Sequence, residues 1–78
     1  MVISGVLVIT RPEHQAELRT ALGALSGVEV HHADPDGRLV ITVEASTTEE
    51  AMARLRDIQQ LPHVALAEMA EHYVGEDA

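Results

Sequence analysis

Residues 28–44 spell out an antiparallel hairpin, and the rest of the chain has to be arranged around it. Arg38 to Glu44 alternates: Leu39, Ile41 and Val43 share one face, while Arg38, Val40, Thr42 and Glu44 share the other. Val28 and Val30 oppose Glu29 and His31 in the preceding segment, which runs to Ala33. Between them lies Asp34-Pro35-Asp36-Gly37. Proline presets φ and glycine accepts positive φ, so this tetrapeptide predicts a tight loop.

The flanking segments supply two helices and two more strands. Val2 to Thr10 is a continuous β-branched and aliphatic run, the pattern of a strand buried on most of both faces. Glu13 to Leu25 places Leu18, Ala21, Leu22 and Leu25 at helical spacing, with Pro12 suited to the first turn and Gly27 to the stop. Ser46-x-x-Glu49 and Thr47-x-x-Glu50 each match a capping box. They open a second helix with Ala51, Met52, Leu55 and Ile58 inward, which Pro62 ends. Val64 to Tyr73 reads as the last strand.

The order is therefore strand, helix, strand, strand, helix, strand. Right-handed crossovers interleaved through a hairpin predict an α+β, ferredoxin-like βαββαβ fold. Its four-stranded antiparallel sheet carries both helices on one face and leaves the other open. The expected organisation is a single domain over residues 1–74 and a short acidic tail over 75–78.

Composition excludes several functions. The chain has 78 residues and no cysteine, so a disulfide scaffold, a thiolate metal site and a cysteine nucleophile are ruled out. The formal net charge is −8, and the basic residues are five scattered arginines. Nucleic acid needs clustered positive charge and is not expected as a partner. Met1 to Ile9 lacks the basic flank of a signal peptide and is far shorter than the roughly 20 residues of a membrane span. The expectation is a cytoplasmic protein without membrane insertion.

No constellation of residues points to catalysis. The glycines match neither a dinucleotide fingerprint nor a phosphate loop, and no serine sits in a nucleophile motif. His31 and His32 are adjacent, so a regular strand sends them to opposite faces. His14, His63 and His72 come from three different elements, and no metal or other cofactor is expected. An RNA-recognition sheet needs stacking aromatics, whereas Tyr73 is the sole aromatic residue.

The open sheet face is the candidate site. Val40, Thr42 and Glu44 face outward on the third strand, and Glu29 and His31 on the second. If Ser4, Val6, Val8 and Thr10 turn inward, then Gly5, Leu7 and Ile9 lie outside. On the last strand, Ala65, Ala67 and Met69 are placed inward, with Leu66, Glu68, Ala70 and His72 outward. The result is an apolar centre of Leu7, Ile9, Val40 and Leu66 ringed by Glu29, Glu44 and Glu68, the pattern of an interaction surface. From these residues alone, a peptide or a second copy of the chain fits equally. A small-molecule regulatory domain acting as a dimer is the alternative.

Several segments together resemble the NapD family. They are Ile3-Ser4-Gly5-Val6-Leu7-Val8, Leu25-Ser26-Gly27-Val28-Glu29-Val30-His31, Asp34-Pro35-Asp36-Gly37-Arg38-Leu39-Val40, Thr42-Val43-Glu44-Ala45 and Ile58-Gln59-Gln60-Leu61-Pro62-His63-Val64. The resemblance implies a non-enzymatic cytoplasmic chaperone. Its partner would be the twin-arginine signal peptide of NapA, the catalytic subunit of periplasmic nitrate reductase. The peptide would lie as a helix on the open sheet, delaying export until cofactors are loaded. The chaperone would carry no cofactor and act as a monomer or weak homodimer.

Overall fold

A computed structural model describes residues 1–75 of the chain. Four strands, β1 (Val2–Ile9), β2 (Val28–Ala33), β3 (Arg38–Ala45) and β4 (Leu66–Val74), form one sheet in the order β2-β3-β1-β4. Each neighbouring pair is antiparallel, so β1 and β2 run parallel, as do β3 and β4. Helices α1 (Gln15–Gly23) and α2 (Thr48–Gln59) make the two crossovers. This is the ferredoxin-like α+β arrangement. Beyond Gly75, the expected acidic tail lies outside the described residues.

Local chemistry explains most element boundaries. The hairpin loop is closed by Gly37 N–H to the Asp34 carbonyl at 3.0 Å and Asp34 N–H to the Arg38 carbonyl at 2.8 Å. Gly37 has φ 102°, and a β-carbon there would lie 2.0 Å from the Thr10 carbonyl oxygen, so glycine is required. Of the two possible capping boxes, Thr47 is the one used. Its hydroxyl accepts from Glu50 N–H at 3.1 Å. The first helix differs from its expected start. Pro12–His14 forms a 3-10 turn, and regular helix begins at Gln15. The last strand likewise begins at Leu66 rather than at Val64, which still belongs to the turn after α2.

The core lies between the helices and one sheet face. Val6, Val8, Leu39, Ile41, Val43 and Ala67 from the strands meet Leu18 and Leu22 of α1 and Ile58 of α2. A smaller cluster of Val2, Ala45 and Ala51 extends it under α2. β1 and the residue after it alternate buried and half-buried from Val2 to Thr10, which places Ser4, Val6, Val8 and Thr10 on the helix side.

Two bulges break the alternation, both on edge strands. In β2 the register to β3 shifts between Val30 and His32. His32 pairs with Val40, and His31 reaches Thr42, so both histidines stand on the open face rather than on opposite faces. In β4 an extra residue, Ala70, shifts the register to β1. Beyond it the phase is reversed. His72 turns to the helix side, against the expectation, while Glu71 and Tyr73 come onto the open face.

Candidate functional site

Residues paired across antiparallel strands share a face, so the register maps the open surface row by row. Leu66, Ile9 and Arg38 stand at one end. Next come Glu68, Leu7, Val40 and His32, and then Glu71, Gly5, Thr42 and Glu29. Tyr73, Ile3 and Glu44 form the last row. All ten residues singled out from the sequence stand here: Gly5, Leu7, Ile9, Glu29, His31, Val40, Thr42, Glu44, Leu66 and Glu68.

Among the described residues, the register also places on this face residues missing from that set. Ile3 follows from the phase of β1, and Arg38 from the alternation of β3, so both were legible. His32, Glu71 and Tyr73 reach the face only because of the bulges, which leave no mark in the sequence pattern.

The surface is apolar along its middle and acidic around it. Val40 is 41% exposed, Leu66 46% and Tyr73 67%. Leu7, Ile9 and Ile3 are half-buried between them. At the centre Gly5 leaves a dip. A β-carbon there would lie 3.5 Å from Cβ of Glu71 and 3.9 Å from its Oε1, so the Glu71 side chain lies beside this dip.

Glu29, Glu44, Glu68 and Glu71 supply four carboxylates. Among the described residues, the one arginine on the face, Arg38, has its Nη2 4.0 Å from Asp36 Oδ2 in the hairpin loop. Glu29 and Glu44 border a hollow that Gly27, Val28 and Thr42 also line. His31 Nε2 lies 2.7 Å from Thr42 Oγ1 and 3.9 Å from Glu29 Oε1, two of the residues that line this hollow. Such a surface suits a ligand that is apolar along one side and cationic at one end.

The remaining histidines are sorted by the fold. His72 Nδ1 lies 3.0 Å from Ser4 Oγ on the helix side of the sheet. His14 and His63, which come from different elements, are stacked at the end of the sheet where β1 finishes and β4 begins. The turn after α2 is held there by Thr10 Oγ1, which donates to the His63 carbonyl at 2.6 Å.

A family model described as NapD protein matches residues 1–76. The chain belongs to the NapD family. Its structure is similar to the solution structure of the E. coli Tat proofreading chaperone protein NapD, with a TM-score of 0.85 and 25% identity. The match covers 97% of this chain and 81% of the E. coli chain. A hypothetical protein from Pyrococcus horikoshii shares the fold with a TM-score of 0.83 at 19% identity, covering 97% of this chain and 93% of that one. No curated protein matches the sequence. Among the described residues of this NapD-family chain, no helix is long and apolar enough to cross a membrane.

Proposed function

We propose that this chain is a Tat proofreading chaperone whose open sheet face binds a twin-arginine signal peptide in the cytoplasm. The partner is the signal peptide of NapA, the catalytic subunit of the periplasmic nitrate reductase. Binding holds back export until the subunit has folded around its cofactors. The chaperone works without catalysis and without a cofactor of its own, as a monomer or weak homodimer.

The observation that carries this reading is the pairing of an exposed apolar strip with four carboxylates on a single sheet face. A twin-arginine signal has adjacent guanidinium groups followed by an apolar stretch. Guanidinium pairs with carboxylate through charge-assisted, often bidentate hydrogen bonds. Glu29 and Glu44, on either side of their hollow, Glu68 beside Leu7 and Glu71 beside Gly5 are the acceptors. The apolar stretch, as an amphipathic helix, covers Leu7, Ile9, Val40 and Leu66. A rim pair that stays exposed contributes about 0.2–1 kcal/mol. Covering what remains exposed of each aliphatic side chain contributes about 25 cal/mol per Å², and with four side chains covered together apolar contact dominates affinity while the arginines set specificity.

Calorimetry against the NapA signal peptide tests the reading, with an Arg-Arg to Lys-Lys peptide as control. Saturable binding that the control weakens is the expected result. No binding to either peptide at high concentration overturns it.

A further inference from the structure

The stacked histidines belong to a cluster on the opposite side of the sheet's end from the peptide face, and they lead to an inference independent of the chaperone reading. His14 closes the 3-10 turn that leads into α1, and Glu17 follows three residues later on the same side of the helix start. His63 sits in the turn after α2 with φ 74°, a left-handed conformation that residues with a β-carbon disfavour. That conformation brings its ring over His14. The ring centroids are 3.8 Å apart with the planes within 12° of parallel. His63 Nε2 is 3.8 Å from Glu17 Oε2. A ligand atom from each of the three residues lies within 4.8 Å of the other two.

Two imidazoles and a carboxylate form the donor set of many zinc sites, and they also suit nickel and copper. We propose that His14, Glu17 and His63 form a surface site for a divalent cation of this class, with water completing the coordination. Zinc–ligand bonds of about 2.0–2.2 Å require the donor atoms to converge. The stacked rings must therefore turn about χ2, a soft torsion for histidine. Their position at the surface leaves room for the turn, and the carboxylate of Glu17 is mostly exposed. The hollow lined by His14, His63, Val64 and Ala65 also includes Arg11. Its guanidinium opposes a cation, and the carboxylate of Glu17 offsets it.

The test is a titration of the full, untagged chain with Zn²⁺ after chelator treatment, read by calorimetry and by the histidine ring protons in NMR. One equivalent is expected to bind, shifting the ring signals of His14 and His63. His63→Gly removes a ligand while giving the turn the residue that its positive φ favours, so the variant stays folded. It and His14→Gln should each weaken binding by about tenfold or more, at least the loss seen when supporting residues of metal sites are removed. Arg11→Gln should tighten it, and the double variant His31→Gln, His32→Gln should leave it unchanged. The proposal is overturned if Zn²⁺ shows no saturable binding or if His63→Gly binds like the parent. It also fails if Arg11→Gln weakens binding, because removing a positive charge beside a cation site cannot disfavour the cation.

Discussion

Ser4 Oγ and His72 Nδ1 lie 3.0 Å apart on the helix side of the sheet, joining a central strand to an edge strand near the two ends of the chain. The contact exists because Ala70 is inserted as a bulge. Under regular alternation through Ala70, with no bulge, His72 would face the open surface and Glu71 the helices.

This geometry separates the roles of two adjacent residues. Glu71→Gln should weaken binding of the signal peptide in calorimetry with little change in stability. His72→Ala should leave peptide binding unchanged and lower stability by about 1–3 kcal/mol, because Ser4 is buried and loses its partner. Chemical denaturation measures the second effect. The reverse pattern, with His72 governing binding and Glu71 governing stability, would contradict this division of roles.

The ranking of open-face residues gives a second prediction. Val40 pairs with Leu7 at the middle of the apolar strip, whereas Glu44 stands at its end beside Ile3. Val40→Glu should therefore weaken peptide binding more than Glu44→Gln does. A larger effect at Glu44 would make charge pairing, rather than apolar burial, the main source of affinity.

Glycines in different settings should respond oppositely to the same change. A β-carbon at Gly27, where φ is 80°, would lie 2.3 Å from the Glu44 carbonyl oxygen. Gly27→Ala should cost about 1–2 kcal/mol from the left-handed backbone alone, and the clash adds to it. Gly23 ends α1, and a β-carbon there would meet nothing within 4 Å. Gly23→Ala should stabilise by up to about 0.5–1 kcal/mol. Paired thermal melts of the two variants check the contrast.

The core and the cap of α2 set the scale for these effects. Leu22 is fully buried between α1 and the sheet, so Leu22→Ala should cost about 2–5 kcal/mol. Thr47→Ala removes the hydroxyl that caps α2 and should cost about 1 kcal/mol. Urea unfolding of both variants checks the ranking. A domain this small has a total stability near the low end of about 5–15 kcal/mol, so the core variant is expected to be partly unfolded at 37 °C.

Sequence alone determined whatever depends on neighbours along the chain. The Asp34–Gly37 loop, the two-residue period of β3, the Thr47 cap and the leucines of α1 are local signals. Each follows from allowed dihedrals or from one helix turn of spacing. They sufficed for the order of elements, the topology and the outward set on β3. Tertiary structure decided what depends on pairing between distant segments. The bulges at His31–His32 and Ala70 arise from how edge strands accommodate β3 and β1, and each reverses every side chain beyond it. The meeting of His14 and His63 likewise depends on a turn held to the end of β1 by the Thr10 hydroxyl. No periodicity encodes such contacts, because they join residues whose only connection is the folded sheet between them.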